Sequence, residues 1–328
     1  MGFAELIGHE RPLESLRSAL AHERLHHAYL FSGPEGVGKR TVALALARAI
    51  HCSEANGDFC GRCTPCVSIT DGNHADVRLI LTLPGKKEIG IQQIREMERE
   101  LRYCSFGGKR KIAIVDPAAL MNVPAQNALL KTLEEPPQNS LIILIAQNAG
   151  ALLPTLRSRC LPLTFAPVPR AQIASFLQRQ YHAAPEAAAF RAAMSNGSIG
   201  AAASLEREDM NEKRRNWANL IDSLAGRDYR AAIAAAEELG QDRDDALAFL
   251  RWAETWFRDR LIYCVAHCRE ELVNIDLLER IEQDCGRSST AAALAALAGI
   301  SEAAAGIQRN FNRRMVLEKL FFTIIERR

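Results

Sequence analysis

Residues 31–50 read FSGPEGVGKRTVALALARAI, a glycine-rich turn that runs into a helix-like stretch. A loop that cradles phosphate has the form G-x-x-x-x-G-K-[ST], and Gly33, Gly36, Gly38 and Lys39 fall in register with it. Such a loop works because successive backbone N–H groups and a helix N-terminus surround an anion while the lysine adds a point charge. The hydroxyl that should follow the lysine holds Mg²⁺. Here that position is Arg40, which cannot ligate a cation and repels one. Thr41 comes one residue late, roughly 100° further around the helix.

Working outward, short β-branched runs alternate with helical patterns from residue 28 to about 165. AYLF precedes the glycine turn; DVRLIL (76–81), KIAIVD (111–116) and LIILIA (141–146) follow, with a helix over NALLKTLEE between the last two. This alternation predicts a parallel sheet covered by helices, an α/β domain over residues 1–166. LPLTFAPVPR (161–170) is proline-rich and reads as a linker. Residues 167–208 read as a small helical domain, its helices joined at Asn196-Gly197. Residues 209–328 carry alanine, leucine, arginine and glutamate at helical spacing and read as an all-α bundle.

Composition allows a sizeable core: of 328 residues 48% are hydrophobic and 24% charged, so two or three domains are expected. The formal charge of +2 sets no global field toward nucleic acid. The amino terminus has no apolar signal-like run and LIILIA is too short to span a bilayer, so a cytoplasmic protein is expected, without membrane association.

Two further features carry chemistry. Asp116 ends the strand KIAIVD, where a hydrolytic P-loop enzyme keeps an Asp for Mg²⁺ and then an acid for the attacking water. The next residue is Pro117, so the second acid is absent, and Asp116 reads equally well as a strand end. Of nine cysteines, Cys52, Cys60, Cys63 and Cys66 crowd into HCSEANGDFCGRCTPC. Four thiolates at C-x7-C-x2-C-x2-C suit a structural Zn²⁺; Cys₄ sets also hold iron–sulfur clusters, and the ligand set favours zinc. Gly57 and Gly61 let the chain bend there; His51 and His74 flank the knot as alternative ligands, although a lone adjacent histidine is more often a surface residue, and the other cysteines read as small core hydrophobes. The basic runs GGKRK (107–111) and EKRR (212–215) read as solvated charge.

NALLKTLEEPP (127–137) followed by LRSRC (156–160) resembles bacterial replicative clamp-loader subunits of the AAA+ superfamily. With GPEGVGKR and the four-cysteine insertion, the chain is similar to the delta-prime family of DNA polymerase III subunits. The likeness is dense over residues 5–206 and thins toward NRRMVLEKLFF near the carboxy terminus. It implies an AAA+ domain with its insertion over about 52–66, a lid domain and a helical collar that holds a hetero-oligomer together. It further implies delta and gamma/tau subunits as partners, and a sliding clamp and primer–template DNA reached through the complex. Arg159, between Ser158 and Cys160, takes the place of an arginine finger that reaches a neighbour's ATP. In GSIGAAA (197–203), Gly200 stands where motor subunits carry a sensor arginine, and Gln147 lies near another sensor position. With Arg40 and Pro117 this makes three lost catalytic parts. A non-hydrolysing subunit of the polymerase complex is expected, with no Mg²⁺, and with nucleotide occupancy at Gly33, Gly36, Gly38 and Lys39 left open. The rival readings are an active clamp-loader ATPase of the gamma/tau type and a zinc-dependent nucleic-acid-binding module.

Overall fold

In the computed structural model, which describes residues 2–54, 57–204, 207–269, 271–286 and 289–326, strands and helices alternate through the first half of the chain. In order these are α1 (Glu10–Ala21), β1 (Ala28–Ser32), α2 (Lys39–His51), α3 (Thr64–Thr70), β2 (Val77–Ile80), α4 (Ile91–Leu101) and β3 (Lys111–Val115). Then come α5 (Val123–Glu134), β4 (Ser140–Ala146), α6 (Pro154–Arg157), β5 (Leu161–Thr164) and α7 (Arg170–Tyr181). The strands form one parallel sheet in the order β2-β3-β4-β1-β5. All of SLIILIA in β4 is buried, as a strand covered on both faces requires.

The two-residue period of the strands sorts their side chains between two cores. Tyr29, Phe31, Ile112, Ile114, Ile143 and Ile145 face α1, α2 and α3. Leu30, Val115, Ile142 and Leu144 face α4 and α5, meeting Ile94, Met97, Leu129 and Leu133. The stretch read as a linker begins as the edge strand β5, which pairs with β1 from Leu161 to Thr164. Pro162 fits there because an edge strand has one side free of ladder bonds. Phe165, just beyond, is buried against Phe31 and His9.

The remaining helices are α8 (Pro185–Met194), α9 (Ile199–Ser204), α10 (Arg207–Ala225), α11 (Tyr229–Leu239) and α12 (Arg243–Ala266). They are followed by α13 (Leu278–Cys285), α14 (Thr290–Gln308) and α15 (Arg313–Glu326). By compactness the chain divides into two units, residues 1–182 with 195–203, and 183–194 with 204–328. Residues 167–208 are thereby shared, α7 and most of α9 going with the first unit and α8 with the second. The second unit is all helical around Trp217, Phe249, Trp252, Trp256 and Phe321. The apolar α14 packs against α12 and α15, with Ala293, Ala296, Ile300 and Ile307 in that core.

Two readings of this region are corrected. Arg214 is not solvated: it is 2% exposed, donating to Asn274 Oδ1 at 2.8 Å and pairing with Asp276. Its guanidinium also lies over the Phe190 ring. Cys264 and Cys285 are not independent core thiols but a disulfide joining α12 to α13. Sequence cannot place their sulfurs together, because the approach depends on how the two helices pack.

Candidate functional site

The glycine turn leads from β1 into α2, as its sequence predicts, and lines a cleft of about 550 Å³. Gly33, Gly36 and Gly38 all have positive φ. Around the cleft lie Leu6, Ile7, His9, Asp116, Tyr181 and Gly200, all within the first unit. Lys39 sits at the mouth of the turn but is only 6% exposed, and it donates to the carbonyls of Gly33 at 2.6 Å and Pro34 at 2.5 Å. Burial lowers its pKa from the ordinary lysine value. The charge that should meet a phosphate is thus engaged with the loop's own backbone.

Arg40 and Asp116, 76 residues apart, meet across the cleft, Nε donating to Oδ2 at 2.5 Å. A hydrolytic site holds Mg²⁺ between the residue after the loop lysine and this strand-end Asp. Here a guanidinium occupies the first position and engages the carboxylate of the second, so the pair bridges α2 to the end of β3. Beside it Gln147 Nε2 donates to Glu35 Oε2 at 2.8 Å, so Gln147 faces a loop carboxylate. Sequence reasoning missed both pairings; the opposite charges of Arg40 and Asp116, in motif positions that normally share a metal, were the available signal.

Gly200 lies against the glycine turn. Its N–H donates to Gly36 O at 2.9 Å, and a Cβ on Gly36 would stand 2.2 Å from Ser198 Oγ. The start of α9 therefore rests on the turn itself. Gly33 is still tighter: at φ +149 its Cβ would fall 2.1 Å from the backbone oxygen of Phe165. Because that neighbour is backbone, it cannot rotate away. Gly33→Ala is expected to destabilise the first unit by about 3 kcal/mol, from backbone strain plus overpacking. The midpoint of urea unfolding followed by far-UV circular dichroism checks this, and an unchanged midpoint would mean the turn can relax.

Cys52, Cys60, Cys63 and Cys66 converge, their sulfurs all within 4.8 Å of one another. Tetrahedral zinc with Zn–S of about 2.3 Å places its sulfurs roughly 3.8 Å apart, so this cluster is compatible with a structural zinc site. Cys52 and Cys63 sulfurs are already 3.9 Å apart. The amides of Arg62 and Cys63 point at Cys60 Sγ, at 3.5 and 3.3 Å. Burial pushes the Cys66 thiol up to about 12. At Cys63 burial is outweighed by hydrogen bonds from Ser53 and Cys66, which bring it down to about 6. Residues 55 and 56 of the insertion lie outside the described residues.

His51, read from sequence as a surface residue, is 4% exposed and donates to Arg110 O at 2.9 Å. Burial, with His74 packed beside it, lowers its pKa to about 4. The basic run next to it is likewise engaged: Lys109 donates to Cys52 O and Lys111 pairs with Asp76.

Arg159 follows the one-turn helix α6 and is placed far from the glycine turn in sequence. Its Nη2 pairs with Glu134 Oε1 at 2.6 Å, and its Nη1 donates to Thr155 O at 2.9 Å. The side chain is 35% exposed.

A family model described as "DNA polymerase III, delta subunit" matches residues 8–169. The DNA polymerase III subunit delta' of Escherichia coli (strain K12) is 32% identical over 266 residues, 80% of this chain and 78% of its own length. The chain belongs to the delta-prime family of DNA polymerase III subunits. The delta' subunit of Pseudomonas aeruginosa is 31% identical over 314 residues, 94% of each chain. That of Bacillus subtilis (strain 168) is 29% identical over 320 residues, 96% of each. A delta-prime family member is an AAA+ clamp-loader-type protein of DNA replication, and the α/β sheet followed by helical regions accords with that architecture.

Proposed function

We propose that this delta-prime family member is a stator: a subunit that does not turn over ATP but presents Arg159 to an ATP-bearing neighbour. In that role it helps load a ring-shaped sliding clamp onto primer–template DNA, with delta and gamma/tau subunits as partners, in the cytoplasm. Three parts are proposed: an AAA+ module over 1–166, a lid over 167–208 and a collar over 209–328. A structural Zn²⁺ held by Cys52, Cys60, Cys63 and Cys66 pins the insertion.

The observation that carries the absence of turnover is the Arg40–Asp116 pair. Phosphoryl transfer at a P-loop is catalysed by positioning and by charge neutralisation through Mg²⁺. An arginine bonded to the metal-organising carboxylate removes the ligands that would hold the ion. Pro117 adds no base, and Gly200 no sensor charge. A guanidinium supplied in trans still stabilises the charge that develops on the neighbour's transferring phosphoryl group. Arg159 suits this because it is partly exposed and held at the end of a short helix.

Calorimetric titration of the purified chain with ATP, with and without Mg²⁺, beside steady-state phosphate release, tests the reading. No turnover is expected, with binding absent or indifferent to magnesium. Hydrolysis that follows magnesium would overturn it and make this chain a motor.

A further inference from the structure

The Arg159–Glu134 contact has no role in the reading above, and its geometry is specific. Glu134 closes α5, and its Oε1 takes a hydrogen bond from Arg159 Nη2 at 2.6 Å. The other terminal nitrogen, Nη1, donates to Thr155 O at 2.9 Å and lies 3.3 Å from Ser158 Oγ. Both terminal nitrogens of the guanidinium are therefore tied, one to α5 and one to α6, which fixes the plane of the group. The pair is open to water, with side chains 35% and 52% exposed. An ion pair that exposed contributes little to folding. Its consequence is orientational.

We infer that Glu134 is a positioning residue: it holds the Arg159 guanidinium aimed before a neighbour's phosphate arrives. This rests on the finger reading proposed above. A free arginine loses much rotamer freedom when it engages an anion, whereas a planar fork already oriented loses less. Guanidinium carries five N–H donors, more than the three contacts found here use. A phosphate can therefore be met without Glu134 letting go. The carboxylate's position at the end of LLKTLEE also couples the finger to α5, a rigid element buried along Leu129 and Leu133.

The test uses the complex reconstituted with Glu134→Ala, Glu134→Gln, Arg159→Ala and the double variant Glu134→Ala/Arg159→Ala. DNA-stimulated ATPase at saturating ATP is expected to fall roughly 3- to 10-fold with Glu134→Ala, with KM unchanged, as loss of orientation rather than of binding predicts. Glu134→Gln, whose carbonyl oxygen still accepts the Nη2 hydrogen bond, is expected to recover most of the rate. In the Arg159→Ala background, removing Glu134 should change nothing further. Nitrogen-15 NMR of the free chain gives a readout independent of ATPase: the Arg159 guanidinium signals should show freer rotation in Glu134→Ala. Unchanged or faster turnover with Glu134→Ala would overturn the inference, faster turnover showing that the carboxylate restrains the finger. A further loss on top of Arg159→Ala would also overturn it, placing Glu134's effect elsewhere. If Arg159→Ala itself is silent, the finger reading fails first. If only Glu134→Ala is silent, the finger reading stands and the positioning role alone is lost.

Discussion

One zinc ion per chain is expected, and removing it with a strong chelator, or replacing Cys66 with serine, should lower the melting temperature of the first unit by about 10 °C or more. The size of the effect comes from where the cysteines sit. Cys66 is fully buried and Cys52 and Cys63 nearly so. The segment between them sends Phe59 into the same core as Phe3 and Ile69. Phe59 stacks edge-on against Phe3, and the Arg48 guanidinium lies 4.1 Å above its ring. Binding of Zn²⁺ to a Cys₄ site is worth on the order of 10 kcal/mol, and the share coupled to folding is whatever the insertion cannot hold by itself. Among the described residues the insertion's helix is the seven-residue α3, too short to be stable without tertiary support. Loss of metal should therefore loosen residues 52–70 first, visible as faster hydrogen exchange confined to α3 and the end of α2. Metal analysis by mass spectrometry gives the stoichiometry, and calorimetry with and without chelator gives the shift. A metal-free chain with the same melting curve would mean that the four sulfurs serve as packing alone.

The second large effect is expected from Arg159→Ala in the assembled complex. An arginine finger contributes about 10³–10⁵-fold at the site it serves. If the sites fire in concert the whole complex should lose DNA-stimulated ATPase by well over ~10-fold, and if they fire independently by the share of turnover which that site carries. Assembly should be untouched, because the substitution removes one partly exposed ion pair worth at most about 1 kcal/mol. Arg159→Lys should not restore activity: the ammonium is a point charge and cannot reproduce the oriented fork. Steady-state phosphate release from complexes matched by size-exclusion chromatography checks both statements. Full activity in the alanine variant would remove Arg159 from the chemistry.

Much of the fold was legible in the order of residues, for reasons that are local. LIILIA is uninterrupted and apolar, and it is the fully buried β4. Gly33, Gly36 and Gly38 mark a turn whose positive φ values other residues rarely adopt. The two C-x-x-C spacings place sulfurs within one short bend. The resemblance to clamp-loader subunits rested likewise on contiguous motifs, and comparison with the E. coli and P. aeruginosa delta' subunits bears out the family.

What the sequence could not disclose are contacts between residues far apart along the chain. It shows Arg40 as a defect in one motif and Asp116 as an acid kept in another; only the packing of α2 beside the end of β3 makes them one ion pair. LPLT looks like linker until β1 offers it an edge. His51 and Arg214 look like surface charge until neighbouring segments bury them and supply acceptors at Arg110 and Asn274. Arg159 is one arginine among many until α5 brings Glu134 to it. Periodicity, turn chemistry and ligand spacing are encoded by near neighbours and so can be read directly. Burial, ion pairing and the orientation of a side chain depend on which distant surfaces meet, and that is decided only when the sheet and its helices have packed.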